Sequence, residues 1–88
     1  MKVEFRDSFL KDLRTIEDKK LLSKVRIAIE ELEAAEGILE LRNLKKLRGS
    51  KTFYRIRIGD YRIGFAVEEE SIVLVRILNR KEIYRFFP

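Results

Sequence analysis

The chain has 88 residues, a length that suits one domain with a single modest core. Its 45% hydrophobic and 40% charged residues are typical of a globular protein, and 20 Lys and Arg against 15 Asp and Glu give a net charge of +5. Histidine and cysteine are absent, which excludes disulfides, Ser-His and Cys-His catalytic pairs and nearly all transition-metal sites. We therefore expect no metal and no other cofactor.

The first part of the chain is predicted to form a strand and two helices. Residues 2–5 suit a short strand, and Asp7 is placed to N-cap a helix whose apolar residues share one face: Phe9, Leu10, Leu13 and Ile16. Asp18 is placed to cap a second helix over 19–36, with Gly37 in position for a left-handed C-terminal cap. These elements predict an antiparallel helical hairpin.

A basic connector, residues 42–51, follows the helices. Leu44 and Leu47 are spaced to anchor it to the core, while its basic side chains face water: Arg42, Lys45, Lys46, Arg48 and Lys51. Three strands are then predicted, over Phe53–Ile58, Tyr61–Glu68 and Ser71–Asn79. The last residues are predicted to begin as a helical turn and to dock their apolar end, Phe86, Phe87 and Pro88, on the domain.

The expected architecture is a single α+β domain, 1–88. The N-terminal strand and the helical hairpin pack on one face of a small, mainly antiparallel four-stranded sheet. The longest aliphatic run, residues 72–75, is too short to cross a membrane, and the N-terminal stretch lacks the apolar segment of a signal peptide. We therefore expect a cytoplasmic protein.

The dipeptide Gly59-Asp60 predicts a two-residue hairpin loop with glycine at its first position. This loop determines three cross-strand pairs: Ile58 with Tyr61, Arg57 with Arg62, and Arg55 with Gly64. A three-residue second turn, 69–71, would place Arg76 opposite Gly64 and continue the core face with Val73, Val75 and Ile77. The opposite face would then carry an arginine row around a hollow at Gly64: Arg55, Arg57, Arg62, Arg76 and Arg80.

This arginine row indicates an anion site. Like charges that face each other across strands repel, and solvated sheet faces usually mix both signs, whereas Glu68 is the only acid expected on this face. Residues 42–88 carry a net charge of +7 and residues 1–41 a net charge of −2. Because the planar guanidinium matches phosphate in two-point contacts, we interpret the row as a phosphodiester site. The alternative is a face that is merely solvated.

Four stretches carry a more specific signal: Leu47-Arg48-Gly49, Tyr54-Arg55-Ile56-Arg57, Asp60-Tyr61-Arg62, and Asn79-Arg80-Lys81 with Tyr84. In them the chain resembles the RelE/ParE superfamily of toxins from type II toxin-antitoxin systems, and most closely the RelE branch. Members of that branch are mRNA interferases that cut messages in the ribosomal A site and are neutralised by an antitoxin. The resemblance implies a RelE-like fold, a ribosome-dependent endoribonuclease, and as partners the ribosome, mRNA and a cognate antitoxin.

The resemblance also implies roles for individual residues. The catalytic set would be Arg55, Arg57, Arg62, Arg80 and Tyr84, with the tyrosine stacking on the substrate base. The further RNA-binding residues would be Lys45, Lys46, Arg48, Lys51, Arg76 and Lys81. The best-known member has lysines at the first two catalytic positions, and many relatives have a histidine where Asn79 stands. Both departures remove a group that titrates near neutral pH, which leaves Tyr84, Lys81 and Glu82 as candidates for proton transfer.

Three other functions are weighed against this one. ParE-type relatives share the fold and poison DNA gyrase without the arginine constellation, so the arginine row argues against that class. A non-catalytic, degenerate module that binds nucleic acid or antitoxin stays open, because the titratable groups are missing. Metal-dependent hydrolysis is disfavoured because the three consecutive acids 68–70 fall at a turn and diverge, and the sequence has no second acidic cluster to face them.

Overall fold

A computed structural model describes residues 1–37, 44–46 and 52–88. Leu47, Arg42, Arg48 and Lys51, for which predictions are made above, lie outside these residues. The elements follow in chain order as β1 (Lys2–Phe5), α1 (Asp7–Arg14), α2 (Lys19–Ala34), β2 (Leu44–Lys46), β3 (Phe53–Ile58), β4 (Tyr61–Glu68), β5 (Ser71–Asn79) and α3 (Arg80–Phe86). None of the helices in the described ranges is long and apolar enough to cross a membrane.

The strands form one mixed sheet in the order β1-β5-β4-β3-β2. β1 runs parallel to β5, and the other neighbours are antiparallel. The predicted α+β class is confirmed, but the predicted number of four strands is wrong. Part of the basic connector adds a fifth strand, β2, along the outer edge of β3, with Leu44 opposite Ile56. The half-buried Leu44 anchors this strand, and its pairing satisfies backbone groups that an open edge would leave unpaired.

The principal core lies between the two long helices and one face of the sheet. Phe9 of α1 and Leu32 of α2 are fully buried there, as are Ile63 and Phe65 of β4. Ile63 and Phe65 flank Gly64, and successive residues of a strand point to opposite faces. Gly64 therefore faces away from the core, on the side where the arginines of β3 also lie.

The two predicted N-terminal caps have different outcomes. Asp18 caps α2 as predicted, because its carboxylate accepts hydrogen bonds from the N–H groups of Lys20 and Leu21 at 2.9 and 3.2 Å. The prediction for α1 is wrong by one residue: Arg6 is the N-cap and Asp7 is the first helical residue. The N–H of Arg6 donates to the carbonyl of Leu74, which keeps Arg6 extended and starts the helix directly after it.

The predicted C-terminal cap of α2 at Gly37 is also wrong. The helix ends at Ala34, and Ala35 follows in an extended conformation, so no left-handed glycine is needed. The α-amino group of Met1 donates to carbonyl oxygens at this end, at 2.8 Å to Glu33 and 2.6 Å to Ala35. These hydrogen bonds satisfy carbonyls that a glycine cap would otherwise serve.

The first hairpin has the predicted register, with Gly59 at φ 59° in a two-residue loop. The second turn is shorter than predicted: Glu68 pairs with Ser71, so the loop contains only Glu69 and Glu70, and Glu69 takes the left-handed φ of 53°. A β-bulge beside Gly64 and Phe65 then restores the spacing. Arg76 consequently still pairs with Gly64, because the shorter turn and the bulge offset each other.

The short turn changes which residues of β5 face the core. Ile72 and Leu74 are fully buried in the principal core, in place of the predicted Val73 and Val75, while Ile77 is there as predicted. Val73 is buried on the opposite face, across from Ala66. The face for which an open arginine row is predicted is therefore apolar at one end.

The first helix closes the edge of β5 beyond the end of β1. The hydroxyl of Ser8 donates to the carbonyl of Val75 at 2.6 Å. The Asp12 carboxylate accepts from the N–H of Ile77 at 3.1 Å, and from two nitrogens of Arg76 at 2.7 and 3.0 Å. This hydrogen bonding to Asp12 raises the pKa of the Arg76 guanidinium, although burial alone would lower it.

Asp12→Ala should lower the free energy of unfolding. The substitution removes three hydrogen bonds and leaves a partly buried guanidinium without its carboxylate, a loss of about 1–3 kcal/mol. Urea denaturation measures the change, with Glu30→Ala on the exposed face of α2 as the acidic control. Equal stability of the two variants would contradict an edge-closing role for Asp12.

Candidate functional site

An open pocket of about 440 Å³ lies on the sheet face opposite α1 and α2. Its described lining consists of Leu44, Lys45, Arg55, Arg57, Arg62 and Tyr84. The first two come from β2, the three arginines from the β3–β4 hairpin, and the tyrosine from α3. The pocket therefore depends on three separate parts of the chain, and its described lining contains no acidic residue.

Arg55 is the most buried basic residue of the pocket. Only 7% of its surface is exposed, and its Nε has no hydrogen-bond partner within the described part of the chain. A buried donor without a partner costs free energy that an acceptor would recover. The guanidinium carbon lies 4.4 Å from the ring centroid of Tyr84, a cation–π distance. Arg55 is thus held by stacking, and its buried Nε has no acceptor among the described residues.

Arg57 and Arg62 face each other across the hairpin, as predicted, but they differ in their partners. Arg57 is exposed and makes no hydrogen bond or ion pair with any described residue. The Arg62 guanidinium turns back and donates to the carbonyls of Gly59 and Tyr61, at 3.0 and 2.9 Å. Those carbonyls reduce the repulsion between the two cations, and they tie Arg62 to the loop.

The predicted hollow at Gly64 is filled. A Cβ built on Gly64 would lie 2.5 Å from Cδ2 of Phe87 and 2.6 Å from Cγ, so the ring rests directly on the glycine backbone. Phe87 also makes an edge-to-face contact with Phe53, with ring centroids 5.6 Å apart. The expectation of an open arginine face around a hollow is therefore wrong at this point, because the apolar C-terminal segment covers it.

Residues 86–88 are predicted to dock on the domain, and one of the three does so. Phe87 is buried, whereas Phe86 and Pro88 are exposed. The ring of Phe86 lies 5.8 Å from the Arg76 guanidinium carbon.

Asn79 begins the helix that carries Tyr84. Its side-chain oxygen accepts hydrogen bonds from the N–H groups of Lys81 and Glu82, both at 3.0 Å, which makes it the N-cap of α3. Asparagine is among the best residues for that position. The departure at Asn79 therefore has a structural role. Tyr84 follows one turn later with 65% of its surface exposed.

The structure brings together five of the eleven predicted site residues: Lys45, Arg55, Arg57, Arg62 and Tyr84. Arg80 and Lys81 are exposed in the first turn of α3 and do not line the pocket, and Lys46 is exposed at the end of β2. Arg76 is held by Asp12, so it offers less free charge than the prediction assumes. Arg48 and Lys51 lie outside the described residues.

The sequence-based prediction of the site missed three residues. Leu44 lines the pocket while it also packs against the principal core, Phe87 fills the space beside Arg55, and Asp12 neutralises Arg76 from another element. Two features of the sequence indicated the first two residues: the leucines within the charged connector, and the apolar end of the charged C-terminal tail. The sequence had no signal for Asp12, which lies 64 positions from its partner.

The arrangement suits a phosphodiester in its charge and shape. Three guanidiniums and one ammonium line a space with no acid among its described lining residues, so the phosphate of a phosphodiester would meet donors on several sides. Among the described lining residues, only Lys45 and Tyr84 carry an ammonium or a hydroxyl rather than a guanidinium or an aliphatic side chain. No described group of three or more Asp and Glu side chains is placed to hold a metal ion.

Comparisons with known proteins match the chain to toxins of toxin-antitoxin systems. A family model described as the ParE toxin of the type II toxin-antitoxin system parDE matches residues 3–84. The chain is 38% identical to toxin RelE3 of Methanocaldococcus jannaschii over 89 aligned positions, which cover 100% of both proteins.

Solved structures show the same fold. The RelB-RelE antitoxin-toxin complex of Methanococcus jannaschii matches with a TM-score of 0.81 and 36% identity, over 97% of this chain and 99% of that one. The archaeal RelE-RelB complex of Pyrococcus horikoshii matches with a TM-score of 0.73 and 24% identity, over 90% and 93% of the two chains.

Arg62→Ala should be less stable than Arg57→Ala. The first removes two hydrogen bonds to backbone carbonyls, a loss of about 0.5–1.5 kcal/mol, whereas the second removes an exposed cation without a described partner and should change stability by less than about 0.5 kcal/mol. Parallel urea titrations of the parent and both variants measure the difference. A more stable Arg62→Ala would instead mean that repulsion from Arg57 dominates.

Proposed function

Since this chain belongs to the RelE/ParE superfamily of toxins from type II toxin-antitoxin systems, we propose that it is an mRNA interferase of the RelE type. In this proposal the toxin enters the ribosome, cleaves the message bound there without a metal ion, and is neutralised by a cognate antitoxin. The supporting observation is the pocket in which Arg55, Arg57 and Arg62 meet Tyr84 without a described acid.

The competing function is that of a ParE-type gyrase inhibitor. The matching family model has the ParE name, so the family alone does not decide between the two activities. Two observations favour the RelE type. A relative that matches over its whole length is named as a RelE toxin, and the buried, unsatisfied Arg55 is a feature that an anion ligand would explain.

The proposed chemistry is transfer of the phosphoryl group to the neighbouring 2′-oxygen. Attack by that oxygen forms a new bond to phosphorus and breaks the bond to the 5′-oxygen, which leaves a 2′,3′-cyclic phosphate and a 5′-hydroxyl. The arginines stabilise the dianionic pentacoordinate phosphorus, since their donors are already in place when the charge develops. Tyr84 keeps Arg55 oriented through its ring and offers an exposed surface for a substrate base.

Proton transfer then falls to a residue outside the arginine set. A guanidinium stays protonated at neutral pH and seldom exchanges its proton. Lys45 lines the pocket and pairs with Arg55 across the β2–β3 ladder. We assign it the role of general acid: its ammonium protonates the departing 5′-oxygen and regains a proton from water, while the proton of the 2′-hydroxyl leaves to water.

Induction of the protein should arrest translation and leave breaks in translated messages. Arg55→Ala should lose this activity, because it removes both the cation and the planar guanidinium that stacks on Tyr84. Arg14→Ala, an exposed arginine of α1, is the matched control and should stay as active as the parent. Co-expression of the cognate antitoxin should restore growth.

Primer extension on a reporter with and without its start codon measures the breaks, set beside a gyrase supercoiling assay. Breaks only in the translated reporter, with supercoiling intact, support the proposed function. Intact messages together with inhibited supercoiling would assign the protein to the gyrase poisons instead.

Lys45→Ala should slow cleavage of an ordinary message by about 10²-fold or more, the usual contribution of general acid catalysis. A message with sulfur in place of the 5′-bridging oxygen needs no proton on its leaving group, so it should be cleaved by Lys45→Ala at nearly the parental rate. Arg57→Ala is the control, because it should slow cleavage of both messages. An equal defect of Lys45→Ala on both substrates would mean that Lys45 only binds RNA.

A further inference from the structure

The face of the sheet that carries the arginines also has a small apolar cluster beneath α3. Ala66 and Val73 pair on that face, and both are buried although they lie outside the principal core. Ile83 and Phe87 are buried as well, and a hydrogen bond of 3.0 Å from the N–H of Phe87 to the carbonyl of Ile83 continues the helical turn. Four residues apart, the two side chains share one side of α3.

Phe87 is seated next to Arg55 because of the register. Gly64 pairs with Arg55 on one side and with Arg76 on the other, so it is the middle of a three-residue row across the sheet. Any side chain at this position would occupy the space beside Arg55, since directly paired residues have Cβ atoms about 4.5–5.5 Å apart. The ring of Phe87 takes that space instead, at a distance that only glycine permits.

Tyr84 lies in the chain between Ile83 and Phe87, the two buried residues that anchor α3 to the sheet. It follows the fully buried Ile83 by one residue and precedes Phe87 by three, yet its own side chain is mostly exposed. The centroid of its ring lies 4.4 Å from the guanidinium carbon of Arg55. Because Tyr84 is mostly exposed, few packing contacts of its own hold it over Arg55. Its position therefore depends on how the seven-residue helix α3 is docked on the sheet.

We infer that Gly64 and Phe87 are positioning residues for the pocket: the Phe87 ring seated on Gly64 holds α3 so that Tyr84 stays over Arg55. The contact thereby keeps the Arg55 guanidinium in its stacked orientation, with its Nε buried. The positioning role of the contact is separate from the cleavage chemistry, and its effect on rate rests on the proposed function.

The first measurement is independent of activity. In a ¹⁵N NMR spectrum the Nε–Hε signal of Arg55 should be displaced by the ring current of Tyr84 and protected from exchange, and Tyr84→Ala defines its position without the ring. Gly64→Ala and Phe87→Ala, of which one pushes the Phe87 ring away and the other removes it, should each abolish the displacement that the Tyr84 ring causes. Adding Tyr84→Ala to either variant should therefore move the signal no further. Gly37→Ala, where an added Cβ meets no atom within 4 Å, is the matched glycine control and should leave the signal unchanged.

The second measurement is the cleavage rate of ribosome-bound message. Each single variant should reduce the rate constant at saturating ribosomes by about tenfold to a hundredfold, the loss typical of a misplaced catalytic group. The double variant Gly64→Ala, Phe87→Ala should be no slower than the slower single variant, because both substitutions remove the same contact. Phe87→Leu, which keeps an apolar side chain, carries the same test if Gly64→Ala does not fold.

The outcomes separate the two proposals. A parent protein that cuts no message overturns the proposed function, while the NMR signal still tests the positioning role. An Arg55 signal that Tyr84→Ala still displaces in the Phe87→Ala or Phe87→Leu background as far as it does in the parent overturns the positioning role, whatever the activity. Additive losses in the double variant also overturn it, since they would mean that Gly64 and Phe87 act separately.

Discussion

The register of the β3–β4 hairpin is the constraint on which the rest of the structure depends. A side chain on a strand points to one face or the other, and a shift by one residue would exchange the two faces completely. The two-residue loop at Gly59 excludes that shift. It sends Ile56 and Ile63 to the helices, and Arg55 and Gly64 to the other side. The core and the pocket are thus two consequences of one turn.

The sheet face that carries the pocket has an apolar part, which packs against α3, and a polar part, which lines the pocket. At one end, residues of β4 and β5 are covered by α3, and at the other the arginines of the hairpin stay accessible. Gly64 lies at the boundary, where the aromatic C-terminal segment meets the basic row. Such a boundary places a low-polarity surface beside a cation, which strengthens any electrostatic contact that the cation makes. A cluster that stabilises the fold therefore also prepares the site.

Because the pocket has arginines where a titratable group could stand, charge stabilisation and proton transfer are carried out by different residues. Guanidiniums supply fixed positive charge and planar donors, and they exchange protons only with difficulty. The remaining requirement, a proton for the leaving group, is met in the proposed mechanism by Lys45 on the neighbouring strand β2. The position of Asn79 fits the same division, because its side chain caps α3 and has no part in proton transfer.

Local signals in the sequence determined the strands β1, β3, β4 and β5, the cap of α2 at Asp18 and the pairing of Arg57 with Arg62, because turn residues and alternating side chains act over a few positions. They also indicated the basic face, since charge composition needs no coordinates.

The tertiary structure alone decided features that depend on distant partners. Asp12 neutralises Arg76 and Phe87 fills the space over Gly64, and the Met1 amino group satisfies carbonyls at the end of α2. The short turn between β4 and β5 likewise put Ile72 and Leu74 in the core instead of Val73 and Val75. Each of these contacts joins residues that no local pattern relates, so only the packed chain brings them together.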